Sequence, residues 1–165
     1  MKILLVSGDA RVRAQVTTAL IGRDDLLVTE VATPQRALQQ VDDEGPWDIV
    51  IGDNDTAPTG GFFLAREIKA RGQMGLDMPP VVLLLARDQD KWLSNWSQAD
   101  AYVVKPVDPF DLAEVVTSLV EGRGVPALPR VGGDPTPSLL DLPSGARETA
   151  ALGDAAGGSV AGAGP

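Results

Sequence analysis

Two charged residues follow short apolar runs of the sequence and could do chemistry together. Asp53 comes soon after the apolar run 47–51, and Lys105 comes directly after the apolar run 101–104. A carboxylate in such a position can attack a phosphoryl group or ligate a cation, and an ammonium group can neutralise it. Asp53 alone is more simply explained as a turn or helix-cap residue. The presence of Lys105 makes a reactive or ion-paired site the better interpretation.

The residue types missing from the sequence exclude several kinds of chemistry. The 165 residues include no histidine and no cysteine. This removes the commonest general base, the commonest zinc ligands, and the serine–histidine and cysteine–histidine nucleophile pairs. No glycine-rich phosphate-binding loop follows the first apolar run. We therefore expect no enzyme with turnover.

Charge and hydropathy limit the partners and the location. The formal net charge is −9, and such an acidic chain is repelled by phosphate backbones. No stretch approaches the ~20 apolar residues of a membrane helix, and the apolar run at the N-terminus is too short for a signal peptide. These features predict a cytoplasmic protein that binds neither nucleic acid nor membrane.

Five apolar runs alternate with five segments of helical spacing. The runs are residues 3–6, 26–31, 47–51, 81–85 and 101–104. Two helical segments start with a capping residue followed by proline, at Thr33-Pro34 and Asp108-Pro109. Most of the runs are continuously aliphatic, as expected for strands covered by helices on both faces. Residues 1–121 are therefore predicted to form one doubly wound α/β domain with a parallel sheet.

In a sheet of this kind, the functional site lies beyond the carboxyl ends of the strands. The residues at or after those ends are Ser7, Gly8, Asp9, Asp53, Leu85 and Lys105. We therefore expect Asp53 and Lys105 to meet at this edge. Pro106 favours an extended or turn conformation at Lys105, and a cis Lys105–Pro106 bond is a further hypothesis, since it would aim the lysine inward.

The composition changes after about residue 121. Residues 122–165 contain ten glycines and six prolines. Such a segment buries too little apolar surface to offset a chain entropy of ~1–2 kcal/mol per residue, so we predict a disordered tail. The apolar cluster at residues 138–142 could be a docking motif, although a chance cluster is the simpler interpretation.

From Lys2 to about Val120, the chain resembles the receiver domain of bacterial two-component response regulators. The resemblance is carried by the first apolar run, by Arg13, by the segment Trp47-Asp48 through Asp53, and by Gly61. The strongest match is the run Ala-Tyr-Val-Val-Lys-Pro at residues 101–106.

The resemblance implies a flavodoxin-like fold, with five parallel strands in the order 2-1-3-4-5 and five helices. It also implies roles for three residues. Asp53 would be the phospho-acceptor, Lys105 the switch lysine, and Tyr102 the aromatic residue that rotates when the site is occupied.

Two departures from the family pattern indicate an atypical receiver, or pseudo-receiver. Receivers hold Mg²⁺ with an acidic pair after the first strand, and Ser7 and Gly8 stand there instead. Asp9 and Asp55 could compensate in part, but a helix cap and a solvated loop charge are simpler interpretations of them. The hydroxyl residue that usually ends the fourth strand is replaced by Leu85. No cofactor is expected, apart from weak Mg²⁺ binding through Asp53, Asp9 or Asp55.

Three functions remain open. The leading hypothesis is a stand-alone atypical receiver that acts in signal transduction through protein–protein contacts, with impaired Mg²⁺-dependent phosphorylation. The alternative is a conventional response regulator that accepts a phosphoryl group on Asp53. The third hypothesis is a sensor that binds a small ligand in the crevice at the strand ends.

Two tryptophans indicate a partner surface. Trp92 and Trp96 are four residues apart, so they share a face of the predicted fourth helix, and we expect at least one to be partly exposed. Receivers use the fourth helix, fifth strand and fifth helix for docking or dimerisation. The expected partner is another protein, either a kinase or a downstream target, and the chain itself is expected to be a monomer or a homodimer through that face.

Overall fold

The computed structural model of the protein describes residues 1–133, so the cluster at 138–142 lies outside the described residues. Six strands are present: β1 Lys2–Val6, β2 Leu27–Val31, β3 Ile49–Asp53, β4 Val81–Leu85, β5 Ala101–Val104 and β6 Val131–Gly132. The helices of the described part are α1 Ala10–Leu20, α2 Pro34–Glu44, α3 Gly60–Gln73, α4 Lys91–Ser97 and α5 Pro109–Val120. A 3-10 turn, Asp88–Asp90, precedes α4.

The strands form one sheet in the order β2-β1-β3-β4-β5-β6. The first five strands are parallel, which confirms the predicted flavodoxin-like fold. The sixth strand was not predicted, and it runs antiparallel to β5. It lies within the segment predicted to be disordered, and residues 122–133 of that segment are part of the described fold. The rest of the predicted disordered tail, residues 134–165, lies outside the described residues.

Local signals set the starts of three helices. Thr33 Oγ1 accepts a hydrogen bond from the Arg36 amide, and Pro34 opens α2. The Asp108 carboxylate caps α5 in the same way, with Pro109 as the first helical residue. The cap-then-proline pattern therefore places both helices correctly. Asp9 caps α1.

The core consists of two apolar layers, one on each face of the sheet. Strands β1, β3 and β4 send alternate residues into each layer, with Leu5 on the face covered by α1 and α5, and Leu4 on the other. Leu64 of α3 packs in the second layer. Because helices cover both faces, these strands are apolar along their length. None of the helices within residues 1–133 has the length and hydropathy to span a bilayer.

Candidate functional site

Asp53 is the last residue of β3, and its carboxylate is almost completely buried, with 2% of its surface exposed. Both carboxylate oxygens are engaged. Oδ1 accepts hydrogen bonds from Lys105 Nζ at 2.8 Å and from the Asp55 amide at 3.1 Å. Oδ2 accepts from the Ser7 hydroxyl at 2.7 Å. The expectation that Asp53 and Lys105 meet at the carboxyl edge of the sheet is therefore confirmed.

Lys105 bridges two carboxylates. Its Nζ lies 2.8 Å from Asp53 Oδ1 and 2.8 Å from Asp55 Oδ2. Burial lowers the pKa of Lys105, but the hydrogen bonds and charges of Asp53 and Asp55 more than offset this, so its pKa lies above the ordinary value. The Lys105–Pro106 bond is cis, as hypothesised.

The structure corrects the simpler interpretation of Asp55. That residue was expected to be a solvated loop charge, and its side chain is indeed 55% exposed. It nevertheless pairs with Lys105, because the loop after β3 turns back over the strand end. The turn is closed by a hydrogen bond of 3.2 Å from the Thr56 amide to the Asp53 carbonyl.

Ser7 is fully buried at the end of β1 and joins two parts of the site. Its hydroxyl donates to Asp53 and accepts a hydrogen bond from the Asp9 amide at 3.1 Å. The Arg13 guanidinium donates to the Ser7 carbonyl at 2.6 Å. Arg13 therefore fixes the turn between β1 and α1, which positions the Ser7 hydroxyl.

Thr56 is a site residue that sequence reasoning missed. It is 3% exposed, and its hydroxyl accepts a hydrogen bond of 3.1 Å from the Gly8 amide. The bond ties the loop after β3 to the loop after β1. A buried hydroxyl three residues after a strand-end aspartate is a weak local signal, since threonine is common in solvated loops as well.

Asp9 serves as the cap of α1, and its Oδ1 accepts from the Arg11 amide at 2.8 Å. This confirms the helix-cap interpretation. Asp9 also lines a cleft of about 580 Å³ together with Asp53, Asp55 and Lys105. Three acidic side chains and one lysine therefore line the cleft.

The residues present do not fit Mg²⁺, the ion that the resemblance implies at this position. Mg²⁺ requires near-octahedral oxygen coordination, usually from one or two carboxylates and several waters. In this structure both oxygens of Asp53 already accept hydrogen bonds, and the neighbouring Ser7 and Gly8 supply no carboxylate. Within residues 1–133, no group of three acidic or other metal-ligating side chains is arranged to hold an ion.

Leu85 and Tyr102 are the residues that the resemblance places at the switch positions. The Leu85 side chain is fully buried in the apolar layer on the α3 face, and Tyr102 packs against the same layer. Leu85 contributes its carbonyl to the site by accepting from the Lys105 amide at 2.7 Å. Burial raises the pKa of the Tyr102 hydroxyl, and the charge of Asp88 raises it further.

The two tryptophans of α4 are partly exposed, which confirms that prediction. Trp92 is 46% exposed and Trp96 is 39% exposed. The Arg66 guanidinium lies 5.8 Å from the ring centre of Trp96 and 6.0 Å from that of Phe62, within cation–π range. Phe110 at the start of α5 is also exposed, and sequence reasoning did not select it.

Comparison with known proteins gives relatives of one kind. No family model matches the chain. Over 125 residues, it is 37% identical to an uncharacterised response regulatory protein of Mycobacterium tuberculosis, and the match covers 73% of this chain and 91% of that protein. A two-component response regulator from rice is 27% identical over 115 residues, which cover 68% of this chain and 54% of that protein.

Solved structures share the fold. The chemotaxis response regulator CheY4 of Vibrio cholerae superposes with a TM-score of 0.62 at 21% identity, over 72% of this chain and 97% of that one. A CheY-like receiver domain protein of Methanospirillum hungatei gives a TM-score of 0.61 at 22% identity, over 74% and 94% of the two chains. The sequence relatives and the shared fold together lead to one conclusion: the chain belongs to the response regulator family and has the receiver domain fold.

Proposed function

We propose that the chain is an atypical receiver, a cytoplasmic signalling module that acts through contact with another protein and has impaired Mg²⁺-dependent phosphorylation. One observation carries this proposal. The Ser7 hydroxyl donates to Asp53 Oδ2 at 2.7 Å, at a position where receivers present carboxylates to a metal ion. The module signals by binding and carries out no turnover.

The ion-pair network supports the proposed impairment of phosphorylation. Asp53 would attack a phosphoryl group with a carboxylate oxygen, and each hydrogen bond that this carboxylate accepts makes it a weaker nucleophile. Here Oδ1 accepts from Lys105 and from the Asp55 amide, and Oδ2 accepts from Ser7. A phosphodonor would also approach the carboxylate of Asp55 without a metal ion to neutralise the repulsion between them. Both factors oppose transfer to Asp53.

Leu85, at the end of β4, supports a second difference from a conventional receiver, namely the loss of the usual coupling between Asp53 and Tyr102. A phosphoryl group on Asp53 would normally be read by a hydroxyl group at position 85, which then draws the aromatic residue inward. Leu85 has no hydrogen-bonding group in its side chain, and it is already packed in the core. Tyr102 is therefore not coupled to the state of Asp53 in the usual way.

The surface of α4 supports the binding role. Trp92 and Trp96 are each more than one-third exposed, and the Arg66 guanidinium lies within cation–π range of Trp96. Tryptophan and arginine are the residue types most enriched among the energetically dominant residues of interfaces. We assign this surface to the partner, a kinase or a downstream target.

Two other functions share one supporting observation. Asp53 and Lys105 line a cleft that opens to solvent, which is where a phosphodonor or a small ligand would enter. A conventional phospho-acceptor using Asp53 is therefore the second candidate, and a small-ligand sensor is the third.

Incubation with acetyl phosphate and Mg²⁺, followed by intact mass measurement, separates the atypical receiver from the conventional phospho-acceptor. A thermal-shift screen of small molecules tests the third, since a ligand at 100 times its Kd adds roughly 2.7 kcal/mol to the free energy of unfolding.

A further inference from the structure

Tyr102 of β5 has two very different neighbours on the same face of the sheet. On β4 its parallel partner is Leu83, a fully buried leucine of the apolar layer on the α3 face. On β6 its antiparallel partner is Gly132, which has no side chain. Residues that are directly paired on adjacent strands face the same side of the sheet and contact one another. The room for a large ring is therefore on the side of Gly132.

The edge of the Tyr102 ring occupies that room. A Cβ atom on Gly132 would lie 2.6 Å from the Tyr102 hydroxyl oxygen, 2.7 Å from Cζ and 2.8 Å from Cε1. The ring edge therefore lies against the Gly132 backbone, in the space that a side chain at position 132 would take. An aromatic ring that covers a glycine on the neighbouring strand fills the gap that the glycine leaves at the edge of a sheet.

Residues 130–133, which we call the strap, contact β5 at two places. The Val104 amide donates to the Arg130 carbonyl at 2.9 Å. At the other end of the strap, a Cβ atom on Gly133 would lie 2.6 Å from the Asp100 carbonyl oxygen, so the two backbones are in close contact there. The tyrosine ring lies between these two places. Its contact with the strap can therefore be broken only if the ring turns or the strap separates from β5.

The strap buries little apolar surface. Its strand, β6, is only two residues long. Val131 packs, partly buried, against the apolar layer on the α5 face. Arg130 is exposed, although its guanidinium donates to the Pro106 carbonyl at 3.3 Å. An element of this kind opens at a lower free energy than the whole domain does. The contact between the ring and the strap therefore has a closed state and an open state within the folded chain.

We infer that the strap controls the orientation of Tyr102: while the strap is paired with β5 its backbone holds the ring in one rotamer, and when the strap opens the ring is released. The effect is reciprocal, because the ring also covers the glycine of the strap. This inference goes beyond the proposed function, which states only that Tyr102 is not coupled to Asp53 in the usual way. It does not depend on whether Asp53 accepts a phosphoryl group.

The first test opens the strap in the full chain without altering the tyrosine. In Gly133→Val the new side chain meets the Asp100 carbonyl, which is backbone, and it stands at a φ of +147°, which residues with a side chain rarely adopt. The Val104 amide should then exchange its hydrogen roughly ten-fold faster or more, as expected for the loss of a local structural unit. The neighbouring Lys105 amide donates to Leu85 within the parallel sheet and should keep its protection.

The orientation of Tyr102 is read in the same variant. The chain has one tyrosine, so selectively labelled tyrosine reports on this ring alone. Scalar couplings from its Cγ to the backbone nitrogen and carbonyl carbon give the χ1 rotamer. Wild type should show the values of one rotamer, and Gly133→Val should show averaged values. The pKa of Tyr102, which burial and the charge of Asp88 raise, should fall as the ring becomes exposed. An opened strap with unchanged couplings would overturn the inference.

Gly132→Val perturbs the contact itself, and Ala127→Val is the control. The Cβ atom of Gly132→Val takes the place of the ring edge. Either the ring turns to another rotamer above a paired strap, or the strap separates and the couplings become averaged, and both results support the inference. Unchanged couplings together with a protected Val104 amide would contradict it, whatever Gly133→Val does. Ala127→Val introduces valine at an exposed position before the strap and should change neither measurement.

Variants of Tyr102 test the reciprocal effect. Tyr102→Ala uncovers Gly132, so the Val104 amide should exchange its hydrogen several-fold faster than in wild type. Tyr102→Phe keeps the ring over the glycine and should preserve most of the protection. Equal protection of the Val104 amide in wild type, Tyr102→Ala and Tyr102→Phe would show that the ring does not hold the strap, and would overturn the reciprocal coupling.

Discussion

The hydroxyl of Ser7, at the end of β1, donates a hydrogen bond of 2.7 Å to the carboxylate of Asp53, at the end of the neighbouring strand β3. A carboxylate in place of Ser7 would repel Asp53 unless a cation lay between them. The serine instead satisfies Asp53 with a neutral donor, while Lys105 supplies the positive charge. The Asp53 carboxylate therefore accepts hydrogen bonds from a neutral hydroxyl and from an ammonium group.

Replacing Asp53 should lower stability even in the absence of any phosphodonor. Asp53→Asn removes the charge that faces Lys105 and leaves the lysine with Asp55 alone. We expect a loss of about 1–3 kcal/mol in the free energy of unfolding, as for hydrogen bonds to charged groups. Urea denaturation measures it. Asp43→Asn, at an exposed position of α2, should be neutral, and equal midpoints for the two variants would argue against a structural ion pair.

The Lys105 ion pairs should fail at alkaline pH. The pKa of Lys105 is raised above its ordinary value of 10.5 in the folded chain, so its stabilising contribution is complete below that value and is lost as pH rises through the folded pKa. The difference in unfolding free energy between wild type and Lys105→Met should therefore be constant from about pH 6 to 9 and shrink above about pH 10.

The raised pKa of Tyr102 acts in the same alkaline range and with the same sign, so both chains should be compared in a Tyr102→Phe background. A difference that shrinks already below about pH 9 would show that another group controls it.

Sequence patterns were sufficient for the five parallel strands and for the main ion pair. Caps and prolines are local signals, so α2 and α5 began where expected, at Pro34 and Pro109. Asp53 and Lys105 met because parallel strands place their carboxyl ends at one edge. The burial of the two side chains and the distance between them depend on tertiary packing, which residue spacing in the sequence does not predict.

The features missed by the sequence depend on tertiary contacts. The pairing of Asp55 with Lys105 depends on the direction in which the loop after β3 turns. The role of Thr56 depends on its approach to Gly8 from another loop. Strand β6 contains Gly132, a residue type that usually indicates flexibility, and the absence of a side chain at Gly132 allows the backbone to lie against Tyr102.

Restoring the acidic pair should restore Mg²⁺ binding. Ser7→Asp with Gly8→Asp places two carboxylates beside Asp53, and Gly8 has room for a side chain, because the nearest atom to its Cβ would be the Ala32 carbonyl oxygen at 3.5 Å. Without Mg²⁺ the double variant should be less stable than wild type through repulsion. At 100 times its Kd, Mg²⁺ should then add roughly 2.7 kcal/mol to its stability, and little to that of wild type.

Thermal unfolding with and without Mg²⁺ measures this difference. Adding Asp53→Asn to the double variant should reduce the effect of Mg²⁺. An equal gain in the melting temperature of wild type would contradict our assignment of Ser7 and Gly8.

The exposed tryptophans should matter for binding and not for folding. Trp92→Ala and Trp96→Ala should each change the free energy of unfolding by about 0.5–1 kcal/mol or less, because both side chains are partly exposed. Each should reduce retention of the physiological partner in a pull-down. Ile21→Ala, at an exposed apolar residue that directly follows α1, is the matched control. Normal retention by both tryptophan variants would place the partner surface elsewhere.

Reaction of the full chain with acetyl phosphate and Mg²⁺, followed by intact mass spectrometry, tests the central claim most directly. The Ser7→Asp, Gly8→Asp variant serves as the positive control, and Asp53→Asn is the negative control. Our account predicts that wild type stays essentially unmodified under conditions in which the positive control gains the mass of one phosphoryl group. Stoichiometric modification of wild type that disappears in Asp53→Asn would contradict it.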